Sequence, residues 1–137
     1  MSSRRVDVFL YGLFMDQDLL HAKGLAPQEA ELASVPGFVL RIGQRAALVP
    51  EATGRVHGVV LSLTLAELER LYAEPSVRAY RPLAVLAQLA SGGTVAALCY
   101  NLPEPPPVTE RNPEYPARLR AVGVKVGLPA EYVASLQ

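Results

Sequence analysis

Sulfur, net charge and long apolar runs are scarce in this chain, and each scarcity removes a class of function. Cys99 is the single cysteine, so no internal disulfide forms and a reducing compartment such as the cytoplasm suits it. The 13 basic and 13 acidic side chains cancel. That leaves no cationic excess to neutralise phosphates, so neither a nucleic acid nor an anionic membrane is the expected partner. No run of about 18 apolar residues occurs, so no segment reads as a membrane-spanning helix. The opening Met1-Ser-Ser-Arg-Arg-Val-Asp carries charge, and Asp7 and Gly12 interrupt any apolar core of signal-peptide length. His21 and His57 are the only histidines and lie far apart, short of the three or four ligands a zinc site needs. There is no G-x-G-x-x-G, no P-loop, no C-x-x-C, no H-E-x-x-H and no G-x-S-x-G. The expectation is a soluble cytoplasmic protein with no metal and no cofactor.

What is present is enough apolar material for one core. The 137 residues are half apolar, which fits one domain spanning 1–137. Val6, Val8 and Leu10 alternate with Asp7, Phe9 and Tyr11 as a first strand, and Gly12 permits a turn. Asp16 reads as a helix N-cap, with Met15 and Leu20 spaced as a hydrophobic staple and a stop near Gly24. Pro36-Gly37 precedes a strand at Phe38 to Ile42, another follows around Ala46 to Val49, and Glu51-Ala-Thr-Gly54 reads as a turn. Val56 to Leu63 is a buried β-run. Thr64-Leu-Ala-Glu67 is a capping box opening a helix whose apolar stripe is Leu65, Leu68, Leu71 and Tyr72. Pro75 ends that helix at or before Glu74. Leu83 to Leu89 and Thr94 to Asn101 form a hairpin around Ser91-Gly92-Gly93. Pro103 to Pro107 is a stiff connector placed to lie across a pocket mouth. Asn112-Pro113-Glu114 starts a last helix with Tyr115, Leu119, Val122 and Val126 inward, and a final turn follows Gly127-Leu-Pro129. Cys99 and His57 read as packed strand residues.

Two places can carry chemistry. Leu10-Tyr11-Gly12-Leu13-Phe14-Met15 runs from strand to helix through glycine, and such a junction offers unpaired N–H groups to a carboxylate or carbonyl oxygen. Glu74 is flanked by Leu71 and Ala73 with two tyrosines nearby. A carboxyl partly withdrawn from water serves as an acid–base catalyst near neutral pH. The plainer reading of Glu74 is a surface ion pair with Arg78 or Arg81.

In their order these pieces resemble the γ-glutamylcyclotransferase-like (AIG2-like) family. The resemblance rests on a strand ending in Tyr11-Gly12, a helix, and the strand Gly54-Arg-Val-His-Gly58-Val-Val. A capped helix and the acid Glu74 follow, then Tyr80 six residues on, a strand ending in Tyr100, and the tail Tyr115 to Tyr132 with its Gly127-Leu-Pro129. It covers nearly the whole chain. The resemblance implies an α+β fold, a small mixed β-barrel with flanking helices and a cavity at one end. It implies that Tyr11, Gly12, Leu13 and Phe14 cradle a small-molecule γ-glutamyl-type substrate, and that Tyr80, Tyr100 and Tyr115 line the pocket. Glu74 would be the general acid/base, with no metal required.

The implied reaction releases 5-oxoproline from a γ-glutamyl amine or peptide, as a cyclotransferase or related γ-glutamylamine lyase. Leu13 and Phe14 stand where the family commonly has Ser and a variable residue, and Pro75 where glycine is frequent. Both changes stiffen the pocket and make it more apolar, which favours a bulkier or less polar leaving amine over glutathione-type substrates. A non-catalytic small-molecule binding module of the same fold is the alternative, and a protein-interaction role for Pro103 to Pro107 a third. A homodimer stays open.

Overall fold

The second half of strand β1 (Arg5–Leu10) lies with both faces covered, and this sets the plan of the molecule. Val8 and Leu10 point one way, into a core shared with Met15, Leu20, Leu68, Leu71 and Leu119. Phe9 and Tyr11 point the other way, into a second core with Val35, Leu48, Val56, Val60, Val85, Ala97 and Cys99. That second set comes from all five strands. It fills the lumen of a closed barrel whose strand order is β1, β3 (Ala46–Thr64), β2 (Gln28–Ile42), β4 (Arg81–Leu89), β5 (Thr94–Asn101). The first core lies between the barrel wall and four helices, α1 (Gln17–Ala22), α2 (Leu65–Leu71), α3 (Tyr115–Val126) and α4 (Ala130–Ser135). The computed structural model describes residues 4–107 and 109–137; Met1 to Ser3, which open the signal-peptide argument, lie outside them. The expected mixed barrel with flanking helices is the observed fold.

Four seams of the barrel are antiparallel. The fifth, β1 against β5, is parallel, with Val8 opposite Leu98. The Val56 to Leu63 run is largely apolar, with only His57 and Ser62 polar, because both its faces are covered: Val56 and Val60 face the lumen, Val59, Leu61 and Leu63 the helices.

The turn signals at Pro36-Gly37 and Glu51 to Gly54 do not divide strands as expected. β2 and β3 run through them as one long ribbon. The pairing slips between Pro36 and Phe38, where Gly37 takes φ +90°, and a Cβ on Gly54 would run into the Phe38 carbonyl. The glycines thus build a bulge that bends the ribbon onto the barrel.

The helix starts follow local chemistry. Asp16 accepts from the Asp18 N–H at 3.1 Å. The Thr64–Glu67 capping box closes at 3.1 and 2.9 Å, and Leu68 and Leu71 anchor α2, each worth about 1.5–3 kcal/mol of burial. α3 starts later than expected, with Glu114 and not Asn112 at its cap, because the Asn112 amide donates to the Gln44 carbonyl at 3.0 Å instead. The final turn is a helix, α4, whose Val133 packs so close to Gly123 that a Cβ there would meet it at 3.0 Å. No helix among the described residues is long and apolar enough to cross a membrane.

Candidate active site

The parallel seam brings the C-terminal ends of β1 and β5 to one rim of the barrel. β1 passes there into Tyr11-Gly12 and a short 3-10 turn, Leu13–Met15. Gly12 is extended, at φ −113°, so no left-handed backbone demands glycine. Space demands it: a Cβ at Gly12 would stand 2.9 Å from the Tyr115 hydroxyl. The Leu13 and Phe14 N–H groups open the turn and have no acceptor within it. The Leu13 N–H donates to the Tyr115 hydroxyl.

Beside this turn is a cavity of about 370 Å³. Tyr11, Gly12, Leu13, Phe14, Glu74, Tyr80, Tyr100 and Tyr115, the residues the resemblance assigns to the site, line it together. Its wall is aromatic. Tyr72 stacks on Tyr100 with ring centres 3.9 Å apart and planes 9° from parallel, and meets Phe14 edge-on at 5.9 Å.

Hydrogen bonds fix the remaining rings. Tyr11 donates to the Tyr100 carbonyl at 2.9 Å, and Tyr80 to the Ala46 carbonyl. The Asn101 amide secures the rim, accepting from the Leu48 N–H at 2.8 Å and donating to its carbonyl at 3.0 Å. Burial pushes the Tyr11, Tyr72 and Tyr80 hydroxyls above the usual phenol range and Tyr115 up to about 12, so all four stay protonated at neutral pH. Beneath them Cys99 is wholly buried, its thiol pushed up to about 12 by desolvation, which suits a core residue and not a nucleophile.

Glu74 is the one carboxylate among the described residues lining the cavity. It lies three residues past the end of α2, with a third of its side chain exposed. Its partner is neither Arg78 nor Arg81. Arg81 instead donates to the carbonyls of Arg78 and Tyr80. The Lys23 ammonium, at the C-terminal cap of α1, holds both Glu74 oxygens at 2.5 and 2.7 Å. Arg45 and Arg118 also reach the cavity, the former 5.8 Å from the Tyr80 ring centre. The proline-rich connector is not its cover. Pro106 packs over Gly43 in the β2–β3 turn, and none of Pro103 to Pro107 lines the cavity.

A family model described as gamma-glutamyl cyclotransferase, AIG2-like, matches residues 8–118. The chain belongs to that family. Among solved structures, one named gamma-glutamyl cyclotransferase has a similar fold, at TM-score 0.81 and 20% identity, over 97% of this chain and 86% of that one. An uncharacterised Homo sapiens protein matches at TM-score 0.80 and 20% identity, over 96% of this chain and 86% of that one. YkqA from Bacillus subtilis matches at 0.79 and 20%, over 97% of this chain and 53% of its own longer chain. No curated protein matches the sequence.

In and around this cavity, sequence reasoning missed Lys23, Arg45, Tyr72, Asn101 and Arg118. Tyr72 was legible only as the last member of the α2 stripe. It continues that stripe past the helix end, where it meets β5 instead of the helix core. Lys23 lies 51 residues from Glu74 and carries no spacing signal.

Proposed function

We propose that this family member converts a γ-glutamyl amine or peptide into 5-oxoproline and a free amine, with Glu74 as general acid/base. The observation that carries the reading is that the Glu74 carboxylate and the N–H groups of the Leu13–Phe14 turn share one cavity. The ligand's α-carboxylate or γ-carbonyl oxygen rests on those N–H groups, where charge developing on the carbonyl oxygen is stabilised. Glu74 takes a proton from the α-ammonium. The freed nitrogen attacks the γ-carbonyl carbon and closes a five-membered ring. The C–N bond to the leaving amine breaks as Glu74 returns the proton to that nitrogen, and the ring nitrogen's surplus proton passes to the released amine, which leaves as its ammonium. Attacker and target belong to one molecule, so holding the folded conformer supplies much of the acceleration. The neutral phenols of Tyr72, Tyr80 and Tyr115 shape the pocket without competing as bases.

The leaving amine lies along the aromatic wall of Phe14, Tyr72 and Tyr100, which suits an apolar stem. Arg45 and Arg118 at the rim suit an anionic end. The single cysteine fits work in the cytoplasm. Glu74→Gln tests the reading. 5-Oxoproline release from a panel of γ-glutamyl amines and peptides is expected to vanish, with the melting temperature changed by only a few degrees. Retained turnover would sink Glu74 as the catalyst, and loss of folding would reassign it to structure. The occupation of both Glu74 oxygens by Lys23 favours a second reading, a module that binds such ligands without turnover.

A further inference from the structure

Lys23 and Lys125 are the only lysines among the 13 basic residues; all the others are arginine. Each lysine is committed to carboxylates, Lys125 to Asp16 and Asp18 at 2.9 and 2.7 Å, and Lys23 to Glu74. Lys125 ties the end of α3 to the start of α1 on the surface. Lys23 is different because it lies in the cavity. Its ammonium covers both oxygens of Glu74 while standing 5.8 Å from the ring centre of Phe14, a residue of the N–H turn. It therefore stands beside both Glu74 and the Phe14 ring, and a ligand's ammonium that reaches both Glu74 oxygens must take its place.

We propose that Lys23 is a displaceable counter-ion, an internal stand-in for the ligand's own ammonium, and that a ligand's ammonium reaches Glu74 only by displacing it, which tempers the site's preference for ligands carrying one. The proposal rests on the reading of Glu74 as the acid that meets the α-ammonium. A carboxylate whose oxygens are both engaged offers its best acceptor positions to a newcomer only if the newcomer replaces the occupant. An equivalent primary ammonium does so at little net change in charge or hydrogen bonding. A ligand of the same shape without the ammonium leaves Lys23 in place. Lysine suits this exchange better than arginine: its charge is compact, its stem is flexible, and it lacks the planar fork that locks onto carboxylates. Lys23 is partly exposed, 30% by side chain, so its ammonium has water to swing into.

Two probes share a skeleton and differ only in that group: L-glutamine, and 4-carbamoylbutanoate, which lacks the α-ammonium. In protein labelled with ¹³C-lysine the two ε-carbon signals are distinguishable, and Lys125 serves as the internal reference. L-Glutamine is expected to shift the Lys23 signal, while 4-carbamoylbutanoate leaves it in place. Calorimetry on Lys23→Met is expected to show the preference for L-glutamine over 4-carbamoylbutanoate raised about two- to fivefold, the range a partly exposed ion pair supplies. Lys23→Arg is expected to lower it. A Lys23 signal unmoved by L-glutamine, or a preference that is unchanged or falls in Lys23→Met, overturns the proposal. Displacement without any 5-oxoproline release from γ-glutamyl amides keeps the counter-ion and removes turnover. Turnover with Lys23 unmoved does the reverse.

Discussion

Replacing Gly12 with alanine, singly and together with Tyr115→Phe, tests whether the rim of the cavity is built by one close approach. The new Cβ would meet the Tyr115 hydroxyl at 2.9 Å, whereas ordinary contact begins at 3.4 Å, so the phenol must retreat by the difference. Tyr115 sits at the first turn of α3, with its ring packed against both cores, so the retreat strains well-packed surroundings. Crowding of this kind costs about 1–3 kcal/mol. Alanine also narrows the unfolded ensemble, which returns about 0.4–1 kcal/mol. The expected net loss is about 1–2 kcal/mol, or about 3–5 °C in melting temperature per kcal/mol for a chain of this length. Tyr115→Phe alone removes the hydroxyl beside the Leu13 N–H and costs about 0.5–1.5 kcal/mol. In the double variant the phenyl ring leaves room for the methyl, so its loss is expected to fall short of the sum by about 1 kcal/mol. Urea denaturation of the four proteins reads the cycle. Additivity within about 0.5 kcal/mol would refute the reasoning, because sites that do not touch behave that way.

The Asn101 amide serves both polar groups of Leu48, so Asn101→Leu leaves an N–H and a carbonyl unpaired and is expected to cost about 2–5 kcal/mol by chemical denaturation. Full stability in that variant would mean that water satisfies the rim. Cys99 holds its proton to about 12 when folded, so thiol reagents at pH 8 are expected to label the protein only after denaturation. Because the unfolded chain releases that proton near 9 and the folded chain keeps it, stability falls as pH rises from about 9 to about 12, by about 1.4 kcal/mol per pH unit. In Cys99→Ser, stability measured across that range is expected to decline less steeply.

What could be read from the sequence was local, and what could not was brought together by the barrel. Capping chemistry is written within four residues, so the starts of α1 and α2 were legible. The Gly92–Gly93 hairpin was legible for the same reason. The long β2–β3 ribbon was not, because proline and glycine mark a turn and a bulge alike. Only the partner strand decides: here Gly54 sits opposite the slip at Pro36 to Phe38. The resemblance gathered eight residues that line one cavity, because the family's order of elements fixes which ends share a rim. It did not supply Lys23, whose approach to Glu74 depends on how far α1 extends before Gly24 turns the chain. Nor did it supply Asn101, which looks like any strand residue until its amide finds Leu48 across the barrel.

The parallel seam also sets an order of events. Every other pairing in the wall joins antiparallel partners, and β2–β3 and β4–β5 join strands that follow one another directly. Val8 meets Leu98 only after most of the polypeptide has been threaded between them. Closing so long a loop is entropically the slowest way to complete a wall. Until it closes, Tyr11 lacks the Tyr100 carbonyl and Tyr72 lacks its stacking ring. A chain with its ribbon and hairpin formed but the seam still open would have no pocket, so ligand binding would report the closing of that seam.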